Sequence, residues 1–306
     1  MPRRMFLVAA TTTAVLSLAL STTPAAATFA GHNGRIAFAV HGLANIAIMN
    51  PDGSGRQTLT AFDGNATAEY PRYSPDGTHI VFDANDPTNN PNSNYDIYSM
   101  TSAGTHLKQL TSDTSNYDDW GASFSPNGHK IAFVSDMGGT FDVWTMNSDG
   151  TNPNQVTTAA GAAYTSWSPD GQWILFDSYI SGSDEIYRVH PDGSHRRALT
   201  SLPVSGQGAD WSPSGDRITF YGSNTGGTYQ VWIMNADGTH RHQLTTGTTN
   251  ATNPIFSPDG NWIAFDRAPP SSKGVHQILK VRTDGTDLVP VSGPGANDSN
   301  PGWQPT

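Results

Sequence analysis

The sequence contains no cysteine, only two glutamates (Glu69 and Glu185) and only four lysines among 306 residues. Without cysteine the chain has no disulfides to draw on and no site for lipid attachment at an N-terminal cysteine. Its stability must come from a large core and a closed architecture, which a single domain of this length can supply. The shortage of Glu and Lys removes the long polar residues that favour helices. It leaves an acid pool that is almost entirely aspartate, a turn residue. Charged residues make up only 14% of the chain and sum to −10. A surface of that sign repels nucleic acid and anionic lipid.

A membrane span is also missing beyond the first residues. Arg3-Arg4, the moderately apolar run from Met5 to Leu20 and the Ala25-Ala26-Ala27 triplet read as an export signal over residues 1–27. The apolar run is interrupted by Thr11-Thr12-Thr13 and falls short of the ~20 residues that a spanning helix requires. Arg3-Arg4-Met5-Phe6-Leu7 resembles the twin-arginine export pattern. Cleavage after Ala27 leaves 279 residues and shifts the formal charge from −10 to −12 through loss of Arg3 and Arg4. The expected product is a monomeric, secreted or periplasmic protein whose single domain occupies residues 28–306.

Glycine (31) and proline (21) are abundant, as expected of many short strands joined by turns. They recur in a fixed setting. Tyr73-Ser74-Pro75-Asp76-Gly77 is echoed by Phe124-Ser125-Pro126-Asn127-Gly128, Trp167-Ser168-Pro169-Asp170-Gly171, Trp211-Ser212-Pro213-Ser214-Gly215 and Phe256-Ser257-Pro258-Asp259-Gly260. A degenerate sixth copy, Trp303-Gln304-Pro305-Thr306, closes the chain. The prolines lie 51, 43, 44, 45 and 47 residues apart. One copy with its acid, hydroxyl and indole could pass for a site; six copies at a regular spacing are scaffold.

Each unit carries four strand-like pieces. The aromatic-Ser-Pro strand comes first. An apolar piece ending in Phe follows the turn, as in His79-Ile80-Val81-Phe82. A third piece alternates β-branched and aromatic residues, as in Ile97 to Met100. After a Gly turn such as Asp149-Gly150, a short last strand ends in an aliphatic residue plus a hydroxyl, as in Leu110-Thr111. This pattern predicts an all-β fold: a six-bladed β-propeller of four-stranded antiparallel blades. The chain enters at the second strand type (Arg35) and ends on the first (Trp303), so the C-terminal strand is expected to pair with the N-terminal blade and close the ring.

The unit aromatic-S-P-D-G-x-x-[I/W]-[A/V/L]-F … [I/V]-[Y/W]-x-M … D-G-T … L-T resembles the TolB-type propeller repeat over residues 34–306. The resemblance implies a six-bladed propeller that binds other macromolecules, often in the cell envelope. Some relatives of this repeat are fused to α/β-hydrolase peptidases; this chain has no G-x-S-x-G nucleophile elbow.

The Asp-Gly and Ser-Pro-Asp-Gly turns should occupy one rim of the disc. The other rim carries the variable loops, where binding usually resides. These include the Asn-rich stretch from Asp83 to Asn94 (Asn89, Asn90, Asn92, Asn94) and the residues preceding each aromatic strand. Because that strand is innermost, Glu69, Tyr70, Asp119, Trp120, Tyr164, Asp210, Asn253 and Asn300 are expected to converge on the channel mouth. Aromatic faces beside Asp and Asn suit a protein or carbohydrate ligand. A structural reading competes, in which Trp120 and Tyr164 pack between blades and the acids are solvated. No H-E-x-x-H occurs and the ten histidines lie mostly beside turns. No cofactor is expected; the one cation the residues admit is Ca²⁺, on Asp118, Asp119 and Asp298. The leading expectation is a non-catalytic binding propeller. The alternative is a glycosidase or lyase on extracellular polysaccharide, with Glu69, Asp119 and Asp210 as its carboxylates.

Overall fold

The computed structural model describes residues 29–41, 45–62, 66–87, 94–111, 117–180, 182–223, 227–268 and 275–306. The segment read as an export signal lies outside them, as do Asn89, Asn90 and Asn92. The described residues form six four-stranded antiparallel sheets and no helix. Blade 1 runs Thr67–Tyr73, His79–Asn85, Tyr95–Thr101 and Lys108–Gln109 from axis to periphery. Blades 2 to 5 repeat this order, with innermost strands Asp119–Phe124, Ala162–Trp167, Gln207–Trp211 and Ala251–Phe256. Blade 6 takes its innermost strand from the C-terminus, Asp298–Pro305, and the rest from the N-terminal side, Asn33–Val40, Asn45–Met49 and Gln57–Thr58. The closure pairs Ile36 with Trp303 and Ala37 with Gly302.

The repeat residues account for the packing. The phenylalanine ending each second-strand motif (Phe38, Phe82, Phe133, Phe176, Phe220, Phe265) is at most 1% exposed. Each such burial contributes about 1.5–3 kcal/mol. The aromatic before each Ser-Pro joins neighbours: Trp167 packs with Ala132, Val134 and Val143 of blade 2, and Trp303 with Ile255 and Ala264 of blade 5. In the Ser-Pro turns the serine hydroxyl accepts the N–H five residues on at 2.8–3.0 Å (His79, Lys130, Trp173, Arg217, Trp262). It also donates to the turn Asp, as from Ser74 to Asp76 at 2.6 Å. The turn glycines have positive φ, and a Cβ on Gly77 would sit 2.3 Å from the Pro305 carbonyl oxygen, so the close approach at the ring closure requires glycine there.

The aliphatic-hydroxyl pair has a role beyond composition. The outermost strands are only two residues long and end just before it. In all six blades the hydroxyl then turns inward and accepts the N–H of the third strand's first buried aliphatic residue, at 2.8–2.9 Å: Thr60 from Ile46, Thr111 from Ile97, Thr157 from Val143, Thr200 from Ile186, Thr245 from Val231 and Ser292 from Ile278. A side chain thereby continues the ladder where the backbone strand stops.

Two outcomes follow for stability. Deleting residues 295–306 strips Asn33–Val40 of its inner strand partner and is expected to abolish cooperative unfolding of the whole ring; a melting curve indistinguishable from that of the intact chain would contradict strand closure. Thr157→Val strands the Val143 N–H and removes the bond to Asp142 Oδ1, and is expected to cost about 1–3 kcal/mol in urea unfolding.

Candidate functional site

Each innermost strand breaks its register at an equivalent place, and that of blade 6 breaks a second time nearer its end. At the break, five residues before the turn proline, stands a residue in the left-handed region: Tyr70, Gly121, Tyr164, Gly208, Asn253 and Asn300, with φ from 51° to 65°. These are β-bulges, which re-aim side chains and amides. For tyrosine this backbone region is strained. It brings Tyr70 and Tyr164 together across the axis, with their hydroxyls 2.5 Å apart and ring centroids 4.8 Å apart. Burial pushes both phenols up, so they remain neutral and share the proton-bearing hydrogen bond.

The bulges also turn backbone N–H groups toward the preceding blade, where a buried aspartate receives them at alternate boundaries. Asp83 of blade 1 accepts from Gly121 of blade 2 at 2.8 Å. Asp177 of blade 3 accepts from Gly208 of blade 4 at 2.6 Å, and Asp266 of blade 5 from Asn300 of blade 6 at 3.2 Å. All three follow the core phenylalanine and are buried. Burial raises the Asp83 and Asp177 carboxyls well above the ordinary carboxylate range, against the lowering pull of these amides.

The channel beneath is nearly filled. Arg72 lies under the tyrosine pair and donates to the carbonyls of Pro301 at 2.9 Å and Pro71 at 3.1 Å. Asp210 bridges blades 3 and 5, accepting from Ser166 Oγ at 3.1 Å and from the Phe256 N–H at 3.0 Å. Phe29 closes the space on the side of the Ser-Pro turns, leaving a cavity of about 50 Å³ around Arg72, Thr165 and Asp210.

Above the tyrosine pair the loop face opens into a cleft of about 480 Å³ between blades 1 and 2. Its walls are Tyr70, Tyr95, Trp120 and Tyr164, and its acids are Glu69, Asp83 and Asp118. Trp120 also packs on Phe141 at 4.5 Å between ring centroids, which fixes its indole as a wall. Asp118 accepts the Tyr95 N–H at 3.0 Å, and Asn94 donates to the Tyr117 carbonyl at 2.8 Å, tying the rim of blade 1 to that of blade 2. Glu69 is directly opposite Asp83 in the strand pairing, so both side chains share a face with Cβ atoms about 5 Å apart. Burial raises the Glu69 carboxyl, and the nearby His41 imidazole, 4.0 Å away, opposes the rise.

Of the residues singled out in the sequence, Glu69, Tyr70, Trp120 and Tyr164 therefore share one cleft. Asn253 borders a second, smaller cavity below the tyrosine pair and donates to Asp266 at 2.8 Å. Asn300 is buried and gives its N–H to Asp266. Asp119 is buried at the start of its strand beside the cleft, whose lining acid is its neighbour Asp118, and Asp210 lies deep in the channel. The cleft residues not singled out in the sequence were Asp83 and Tyr95; for Asp83 a signal existed. The recurrence of Phe-Asp in Phe82-Asp83, Phe176-Asp177 and Phe265-Asp266 was the available signal. Asp118, Asp119 and Asp298 do not assemble as a cation site. Asp298 is held by both Arg56 guanidinium nitrogens at 2.5 and 2.8 Å, and among the described residues no group of three or more His, Asp or Glu is arranged to hold a metal.

Residues 17–166 and 166–306 each match the TolB beta propeller domain. The chain belongs to that family. Solved structures with the same fold include TolB from Acinetobacter baumannii (TM-score 0.76, 22% identity, 89% of this chain against 67% of that one). The putative TolB from Agrobacterium tumefaciens aligns with TM-score 0.68 at 18% identity, over 89% of this chain and 99% of that one. Kuenenia stuttgartiensis hydrazine synthase aligns with TM-score 0.72 at 15% identity, over 90% of this chain and 47% of that one. At such identities the likeness is one of fold, and the function of this TolB-family propeller depends on its own cleft.

The buried Asp83 makes a specific pH prediction. Its folded pKa lies above the ~3.9 of an unfolded aspartate. The protonated carboxyl therefore contributes stability that is complete below that unfolded value and is lost as pH rises toward the folded one. Asp83→Asn keeps an acceptor for the Gly121 N–H without the charge. Its melting temperature is expected to exceed that of the parent at pH 8, with the gap closing as pH falls toward 4; a pH-independent gap would refute a charge penalty at this site.

Proposed function

We propose that this TolB-family propeller is an exported, non-catalytic binding protein that takes a protein or glycan ligand on its loop face. The observation carrying this reading is the cleft between blades 1 and 2. It has four aromatic walls, three acids and a floor closed by the Tyr70–Tyr164 hydrogen bond, so a ligand would rest on the channel mouth without passing through. Aromatic faces supply contact area and the acids supply direction, as recognition sites generally require. Export rests on the pattern of residues 1–27, with the paired arginines favouring the twin-arginine route. The expected setting is the periplasm or the medium.

One observation favours the second reading, cleavage of a polysaccharide. Glu69 and Asp83 oppose each other on one face of the cleft and burial raises both carboxyls, the condition for a general acid. The purified chain, screened on glycan, polysaccharide and envelope-protein arrays, is expected to retain a ligand without releasing product. Trp120→Ala should weaken retention about tenfold or more, the scale of a central aromatic contact. New reducing ends from a retained glycan, lost in Glu69→Gln, would decide for the enzyme. Retention unchanged by Trp120→Ala would place binding elsewhere.

A further inference from the structure

The blade pattern repeats in pairs, and the cleft departs from it at one position. Asp83, Asp177 and Asp266 occupy equivalent places, each facing a cross-strand partner on the innermost strand. Opposite Asp177 that partner is Ala163; opposite Asp266 it is Thr252, whose hydroxyl donates to the carboxylate at 3.0 Å. Asp266 is further satisfied by Asn253 Nδ2 and by His276 Nδ1, each at 2.8 Å. Opposite Asp83 the partner is Glu69, a second acid. Nothing in the scaffold calls for it, since the staple to the next blade needs only the aspartate.

Two carboxyls on one face repel when both are charged, and here they line an open cleft. Asp83 is 1% exposed, and its Oδ1 has no hydrogen-bond partner while Oδ2 takes the Gly121 N–H. The other titratable and charged groups acting on the pair are His41 and Asp266 on Glu69, Arg72 on Asp83, and the phenols of Tyr70, Tyr95 and Tyr164. Arg72 lies below the tyrosine pair with its guanidinium directed to two carbonyls. The cleft thus combines three acids with the π-faces of four rings, the combination that attracts an organic cation.

We infer that this cleft recognises the cationic head of a basic side chain, lysine or arginine, presented by a polypeptide partner, with Glu69 and Asp83 as its counter-charges and Trp120, Tyr70, Tyr95 and Tyr164 as its walls. The inference rests on the proposed reading of the cleft as a ligand site and assigns the ligand's chemistry. A basic side chain fits because its aliphatic stem lies along rings while its head reaches acids. Burial disfavours the charged forms of Glu69 and Asp83, whereas an arriving cation favours them, so binding should tighten as pH rises.

The test uses the pentapeptide Ac-Gly-Gly-Arg-Gly-Gly-amide and its neutral citrulline analogue, titrated into the purified chain by calorimetry and by amide chemical-shift mapping. The arginine peptide is expected to bind with shifts at residues 69–70, 83, 95, 118–120 and 164. The citrulline peptide should bind at least tenfold more weakly. Affinity for the arginine peptide should rise between pH 5 and pH 8 with measurable proton release. Glu69→Gln and Asp83→Asn should each lose most of that affinity and the pH dependence while still unfolding cooperatively, Asp83→Asn at or above the parent melting temperature. Equal binding of the two peptides, with both lost in Trp120→Ala, would overturn the cation inference and leave the cleft a binding site. No shift at these residues with the arginine peptide at millimolar concentration would also overturn it, and the array experiment would then judge the cleft separately.

Discussion

Five residues before each turn proline, the innermost strand gives up its register and one residue takes a left-handed backbone, and the centre of the propeller is built on that break. A bulge leaves amides that the strand ladder no longer serves, and a buried amide needs an acceptor. At three of the six boundaries the acceptor is an aspartate of the preceding blade, so the same break that narrows the channel also fastens blade to blade. Where the bulge residue is tyrosine, its side chain crosses the axis and closes it. The Cβ of any residue replacing Gly121 would come within 2.8 Å of Tyr164 Cα, which shows how closely the bulges of neighbouring blades approach.

The frame around this centre is uniform because each unit solves the same two problems. In blades 1 to 5 the innermost strand ends in a Ser-Pro turn whose serine accepts the next strand's N–H, and in blade 6 Gln304 Oε1 accepts the Arg35 N–H at 3.2 Å. The outermost strand is replaced after two residues by a hydroxyl that accepts from the third strand. Both devices use short side chains with local reach, which is why the sequence can vary in the loops without disturbing the blades. Closing the ring with one strand from the C-terminus removes the last open edges. A disc of this kind, whose only outer edges are two-residue strands, leaves variation to one rim, and the open cleft lies there.

The cleft has meaning only against the repeat. Asp83, Asp177 and Asp266 share a structural task, and Glu69 does not. A second carboxyl placed opposite a buried one raises the energy of the charged state, and the family fold offers no reason to retain it. The TolB-family assignment fixes the architecture and carries the expectation of macromolecular binding. The aromatic and acidic lining of this particular mouth carries the narrower proposal about the ligand's charge.

Much of the fold was legible in the residues. The recurrence of aromatic-Ser-Pro-Asp-Gly, of the apolar strand ending in Phe and of the aliphatic-hydroxyl pair determined the blade count, the four strands and the strand shared between the chain ends, because those are local propensities repeated at a fixed period. The counting back from each proline also pointed to Glu69, Tyr70, Trp120 and Tyr164. What it could not reveal was which acids face each other. Asp83 is 14 residues from Glu69 along the chain and became its neighbour only through the antiparallel register of blade 1. Asp118 and Asp119 are adjacent in sequence, yet the alternation of a strand start sends one into the cleft and buries the other. Asp210, Asn253 and Asn300 stand near the same prolines and lie in the channel or against Asp266, because the partners they meet come from other strands and blades. Periodicity is a property of the chain and can be read from it; the pairing of charges across strands and blades arises only when the ring closes.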